Sequence, residues 1–191
     1  GSSDGEAVKG GTLVVSMPSS PRTLDPKAYS TMYENHIMYN VLDTLFVWDQ
    51  DYKELLPCLA TDYTASDDGL TYTINLRDDV YFQKGKFQDG RKMTADDVVY
   101  SLERSKEEST TDRICRDFFD YCEAASPTQV VIHMKSVAGP FISQLAGIGN
   151  AILPKEEVEG WGEDFGSHIV GTGAFTLEEI VTDEKVTLDK D

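Results

Sequence analysis

No apolar run in the 191 residues approaches the roughly 18 needed to cross a bilayer, so nothing in the chain reads as a transmembrane helix. Basic side chains are scarce, 17 Lys and Arg against 34 Asp and Glu, for a net charge of -17. That surface repels phosphate backbones and anionic headgroups, which argues against nucleic-acid binding and against direct adhesion to a membrane. Cysteine and histidine are few and scattered. Cys58, Cys115 and Cys122 show no Cys-x-x-Cys, and His36, His133 and His168 show no His-x-x-x-His, so no metal site is spelled locally and no cofactor is implied. Cys115 and Cys122 flank Phe118, Phe119 and Tyr121; an oxidising exterior permits a bridge between them, and two separate buried thiols are the alternative.

The catalytic signatures are missing too. There is no Gly-x-Ser-x-Gly elbow to place a nucleophile. Gly171-Thr-Gly-Ala-Phe-Thr176 lacks the third glycine of a dinucleotide loop, and Thr64 to Asn75 puts Asn75 where a calcium loop needs a bidentate Glu. Adjacent acids such as Asp96-Asp97 and Glu156-Glu157 point apart on a helix and read as solvated faces and caps. An enzyme is not expected.

What is present is a globular chain, 40% hydrophobic and 27% charged, with the two element periods mixed from the start. Gly11 to Ser16 reads as a buried first strand, and the three prolines between Met17 and Pro26 make the next stretch an ordered extended loop. Met38, Val41, Leu42 and Leu45 mark one face of a helix between about 29 and 46, and a strand follows into the turn ending at Tyr52. Leu70, Tyr72, Ile74 and Leu76 alternate with polar residues, a half-buried strand. Val80 to Phe87 fits a strand or hairpin. Thr94, three residues before Asp97, starts a capping box for a helix over about 95–106 with Ala95, Val98, Val99 and Leu102 on its buried stripe. Gln129 to Lys135 is a further strand with His133 on its solvent side. Short helices are predicted near Gly139–Ala146 and after Leu153, and a hairpin joins Gly173–Ile180 to Glu184–Asp189. Trp48, Trp161 and the nine tyrosines are expected mainly in the core, with a pocket lining as the alternative.

Residues 1–10 read as a flexible tether, because Gly, Ser and acids bury too little area to offset ordering. The start carries no positive, apolar leader, which implies that any signal peptide has been removed. Gly1-Ser-Ser reads equally as the beginning of a lipoprotein after its lipidated Cys and as a cloning remnant.

In chain order, Gly10-Gly-Thr-Leu-Val-Val15, Thr23-Leu-Asp-Pro26, Pro57-Cys-Leu-Ala60, Asp68-Gly-Leu-Thr-Tyr72, Leu76-Arg77, Phe87-Gln-Asp-Gly90, Thr94-Ala-Asp-Asp-Val98, Ile152-Leu-Pro-Lys155 and Val170-Gly-Thr-Gly-Ala-Phe175 resemble the family 5 extracellular solute-binding proteins of ABC importers. Two departures stand out: Val41-Leu-Asp-Thr-Leu45 replaces the usual Tyr-Glu-Gly-Leu wording, and Gln83 to Lys86 looks like a lengthened surface hairpin.

The resemblance implies a mixed α/β, type II periplasmic-binding-protein-like lobe, incomplete here. On that map 11–45 and 168–191 are pieces of a core subdomain and 46–167 is an inserted one. It implies a receptor outside the cytoplasm, in the periplasm or on the cell surface, with a peptide as cargo, a membrane permease as partner and membrane contact only through a lipid anchor. Nickel, haem or an oligosaccharide is the alternative cargo, and a sensor or interaction module on the same scaffold the alternative role. The proline-braced loop Ser19, Ser20, Pro21, Arg22 and Thr23 leaves the first strand where ligands approach a sheet end and is the candidate peptide-facing edge, against a rigid connector. Gly171, Thr172 and Gly173 allow close backbone approach at the return to the core subdomain, near the family's hinge, against a plain turn. The final strand is expected to leave an open edge, and with it pairing between copies.

Overall fold

A computed structural model describes residues 11–16, 23–28, 32–110, 117–181 and 185–190 of the chain. In order the elements are β1 (Gly11–Ser16), α1 (Met32–Val41), β2 (Phe46–Trp48), β3 (Leu55–Pro57), β4 (Ala60–Ala65), β5 (Thr71–Leu76), α2 (Ala95–Glu108), β6 (Phe119–Ser126), β7 (Gln129–Met134), α3 (Phe141–Gln144), α4 (Lys155–Trp161), β8 (Phe175–Val181) and β9 (Lys185–Lys190). Short 3-10 turns occupy Ile148–Asn150 and Gly162–Ser167.

Among the described residues three antiparallel sheets result. The middle of the chain builds a four-stranded sheet in the order β4-β5-β7-β6. Tyr72, Ile74 and Leu76 of β5 and Val130, Ile132 and Met134 of β7 face one side and are buried, as their alternation dictates. Ala95, Val98 and Leu102 of α2 and Phe141, Ile142 and Leu145 around α3 complete that core. The Asp97 carboxylate accepts the Thr94 N–H at 2.8 Å and closes the capping box that starts α2. Where β6 runs along α2, its backbone groups are taken by side chains: Glu103 accepts the Cys122 N–H at 3.1 Å and Lys106 donates to the Asp120 carbonyl at 2.7 Å. Helix side chains thus stand where a neighbouring strand would.

The ends of the chain form the second sheet, ordered β1-β9-β8, with its own core of Leu24, Ile37, Met38, Val41, Leu42, Phe165, Val186 and Leu188. Here two expectations fail. Strand β9 lies in the centre of this sheet, paired with β1 and β8 on its two sides, so the last strand is not an edge. β1 is an outer strand, and its Val14 is 54% exposed, so the apolar run is not uniformly buried. A two-stranded ribbon, β2 with β3, stands between the two regions in sequence. The stretch from Val80 to Phe87 forms no regular strand, only the single bridges Tyr81 with Lys92 and Lys84 with Asp89.

Candidate functional site

Ser19, Ser20, Pro21 and Arg22 lie outside the described residues, and Thr23 is where the loop after β1 re-enters them. The next residues explain why Thr23-Leu-Asp-Pro26 is spelled as it is. Leu24 is fully buried in the core of the terminal sheet, and its N–H donates to the Gly166 carbonyl at 3.1 Å. Asp25 receives the guanidinium fork of Arg104, reaching over from α2, at 2.9 and 2.6 Å, both groups nearly out of solvent. Thr23 offers its Oγ1 to the Asp25 N–H at 3.1 Å, and Asp25 accepts the Lys27 N–H at 3.1 Å, which tightens the turn. The loop's exit is therefore pinned by one apolar plug and one buried ion pair.

Thr23 lines a groove of about 620 Å3 between this turn, α2 and α4, shared with Lys27, Tyr100, Glu107, Glu159 and Glu163. Among the described residues that line it, the two cations are engaged, Arg104 with Asp25 and Lys27 with Glu108 at 2.7 Å, so these residues present carboxylates. Burial raises the Tyr100 phenol above its ordinary range and keeps it neutral. Chemically the groove suits an ammonium group and disfavours a carboxylate or phosphate.

Gly171, Thr172 and Gly173 do not line that groove. They pack on the end of α1. The Gly173 N–H donates to the Val41 carbonyl at 2.9 Å, and a Cβ on Gly173 would lie 2.6 Å from the Asn40 carbonyl oxygen. A Cβ on Gly171 would lie 2.8 Å from the Val41 oxygen, so both glycines are there because backbone meets backbone. The Thr172 hydroxyl donates to Asp43 at 2.9 Å, and burial pushes the Asp43 carboxyl up. Here the departure Val41-Leu-Asp-Thr-Leu45 has a use: Asp43 takes Thr172, and the buried Thr44 hydroxyl donates to the Phe46 carbonyl at 2.6 Å.

The second departure corrects the sequence reading. Gln83 is not part of a surface hairpin; it is 5% exposed and its side chain holds the junction. Its amide nitrogen donates to the carbonyls of Gly173 at 2.9 Å and Phe175 at 2.6 Å, its oxygen accepts the Gly171 N–H at 3.2 Å, and its own backbone N–H donates to the Gly171 carbonyl at 2.9 Å. Glu157 is a second correction: read as half of a solvated pair, it is fully buried, accepting the N–H groups of Phe87 at 2.7 Å and Gln88 at 3.1 Å and the Trp161 indole at 3.1 Å.

Other candidates stay apart. His133 is half-buried and stacks on Tyr121 at 4.4 Å, as its strand position predicts, and His168 stacks on Trp161 at 3.7 Å. Among the described residues no three His, Cys, Asp or Glu side chains gather to hold a metal. Cys122 is a free thiol pushed up to about 12 by burial, Cys58 is another pushed up to about 11 by the same cause, and Cys115 lies outside the described residues.

Against known proteins, residues 54–191 match the profile of the bacterial extracellular solute-binding proteins, family 5 (middle part). The chain belongs to that family. It is similar to the glutathione-binding protein GsiB of Salmonella typhi, 36% identical over 171 residues, which covers 87% of this chain and 32% of that protein. GsiB of an Escherichia coli O1:K1 strain is 33% identical over 168 residues with the same coverage. The chain thus spans about a third of the length of its curated family 5 relatives. Among solved structures it superposes on MoaA of A. tumefacien R10 in complex with mannopinic acid, at a TM-score of 0.80 and 26% identity, covering 89% of this chain and 35% of that one. It also superposes on the periplasmic binding protein DppA of Helicobacter pylori in complex with the peptide STSA, at 0.78 and 24%, covering 88% and 36%, a likeness of fold alone. A nickel ABC transporter protein of Bacillus halodurans gives 0.72 at 32% identity, covering 88% and 32%.

Within this family 5 chain, the residues that sequence reasoning missed are polar and buried: Gln83, Glu157 and the pair Asp25 with Arg104. For the last a signal existed, since Thr23-Leu-Asp-Pro26 is one of the stretches that carry the resemblance. Gln83 offered none, because a polar residue beside Lys84 and Gly85 has the composition of an exposed turn.

Proposed function

We propose that this chain is part of the extracytoplasmic solute-binding component of an ABC importer, which captures short peptides and hands them to a membrane permease. The observation that carries this reading is the likeness over 87% of the chain to glutathione-binding proteins, glutathione being itself a peptide. On this reading 11–45 and 168–191 contribute to the core of a type II first lobe and 46–167 to its insertion. Ser19 to Thr23 present backbone groups to an extended ligand, Arg22 meets a carboxylate, and Gly171 to Gly173 sit near the hinge. The carboxylate-lined groove beside Thr23 supports a ligand carrying an ammonium group, which every peptide with a free N-terminus does. Receptors of this kind act in the periplasm or at the cell surface, joined to the membrane only by an N-terminal lipid.

The test is a thermal-shift screen of the complete gene product against a peptide pool, glutathione and nickel. A ligand at about 100 times its Kd adds about 2.7 kcal/mol to stability and moves the midpoint by several degrees. A shift with peptides upholds the reading. A shift with nickel alone transfers it to the second cargo, which the likeness to the Bacillus halodurans protein favours. No shift with any of them contradicts capture of a small solute.

A further inference from the structure

A different surface carries rings in place of carboxylates. Helix α1 contributes Tyr39, strand β2 contributes Trp48, and the turn from β2 to β3 contributes Asp49, Gln50 and Tyr52 to a depression of about 310 Å3. Tyr39, Trp48 and Tyr52 are 45, 40 and 78% exposed. The Tyr39 ring and the turn's backbone are held in place. The Tyr39 hydroxyl donates to the Ala146 carbonyl at 2.9 Å. Asp49 braces the turn by accepting the N–H groups of Lys53 at 2.7 Å and Glu54 at 3.2 Å, and the Tyr52 N–H donates to the Asp49 carbonyl at 3.1 Å.

This brace leaves Tyr52 at φ 55, the only left-handed non-glycine among the described residues. Glycine is the default there, and a side chain with a Cβ costs about 1 kcal/mol in that region. An exposed aromatic ring thus stands at a position whose backbone favours having no side chain. Strain of that kind clusters at ligand contacts.

A second aromatic cluster among the described residues shows what such rings attract. Phe87 and Trp161 meet edge-on at 5.7 Å, and the Lys86 ammonium lies 5.4 and 4.9 Å from their centroids. That cluster holds its own cation. No Lys or Arg of the described residues lies over Trp48 or Tyr52. Ring faces attract cations most strongly when the cation is weakly hydrated, as alkylated ammonium groups are, and a neighbouring carboxylate adds to the attraction.

We propose that the depression among Tyr39, Trp48 and Tyr52 binds an alkylated ammonium group of the choline class, with Asp49 as counter-charge. The volume suits one small head group. The site is separate from the groove at Thr23 and stands or falls independently of the peptide reading. Both free choline and a phosphocholine lipid headgroup present this chemistry.

The experiment is titration of choline chloride into the protein carrying 5-fluorotryptophan, read by fluorine NMR, beside its neutral isostere 3,3-dimethylbutan-1-ol. The expected result is a saturable shift at Trp48 with Trp161 unmoved, and binding about tenfold weaker for the isostere. Tyr52→Gly removes the ring while relieving the backbone; it should keep or raise the melting temperature, leave the Trp161 resonance in place and weaken choline binding by about tenfold. Sedimentation with phosphatidylcholine vesicles, against phosphatidylglycerol vesicles, assigns the head group to lipid if the protein co-sediments only with the former; binding of free choline alone assigns a solute. No saturable shift, equal binding of the isostere, or unchanged binding in Tyr52→Gly overturns the proposal.

Discussion

The four-stranded sheet and the three-stranded sheet solve the same packing problem by different means. The first is made within residues 60–134, filled by regular alternation from β5 and β7, covered by α2 and α3, and blocked along β6 by Glu103 and Lys106. The second joins segments from the two ends of the chain, which Thr172 and Asp43 link to each other, and polar links also tie it to the middle of the chain: Asp25 to Arg104, and Gly171, Gly173 and Phe175 to Gln83. Buried polar links leave unpaired groups when one partner goes, whereas an apolar core loses stability in proportion to the cavity left. The terminal sheet, whose outer strand leads into the loop proposed to meet ligand, is thus held by a few named polar side chains in addition to apolar contacts with Ile148, Leu153 and Val158.

Breaking the largest of those links should separate the two regions most clearly. Arg104→Ala strands a buried Asp25 carboxylate, and removing one partner of such a pair costs about 3–5 kcal/mol. Hydrogen exchange should show β1, β8 and β9 losing protection while β5 and β7 keep theirs; uniform loss across both sheets would erase the distinction. Gln83→Ala leaves the Gly171 N–H and two carbonyls without their partner, at about 2–3 kcal/mol in urea unfolding. A loss below about 0.5 kcal/mol, the size of an ordinary surface substitution, would return Gln83 to the surface hairpin. Gly173→Ala forces a Cβ onto the backbone of Asn40 and Val41 and should cost about 1–3 kcal/mol, with no such penalty at Gly139, where nothing lies near.

The smallest effect sharpens the comparison through pH. Burial raises the Asp43 carboxyl in the folded state, so the folded chain holds this proton more tightly than the unfolded one. Asp43 therefore imposes no cost below its unfolded value and a growing one as pH rises through its folded value. Asp43→Asn keeps an oxygen for the Thr172 hydroxyl and should raise the melting temperature slightly at neutral pH, the gain vanishing in acid. A gain that persists unchanged in acid would place the cause elsewhere.

The same contrast decides what could be read from sequence. Helix α2, strands β5 and β7 and the β8–β9 hairpin were legible because burial imposes a period on their residues and Thr94 with Asp97 punctuates a start. Strands β4 and β6 were not: outer strands with most residues exposed, they carry almost no alternation. Pro57 closes β3, where proline is tolerated at the end of a short ribbon. The close backbone packing at Gly171 and Gly173 was legible because close approach leaves few alternatives; their ligand role is a proposal. Gln83 and Glu157 were not, since a buried polar residue looks like an exposed one until its partners, dozens of residues away, are placed.

The most direct test of the account is mass spectrometry of small molecules released by denaturing the complete mature protein after gentle purification from its native host. The expected release is a heterogeneous set of short peptides, held through their backbones and amino termini. Release of a sugar or a metal complex in their place would contradict the peptide reading, and release of nothing, with no response to a peptide pool, would contradict solute capture itself.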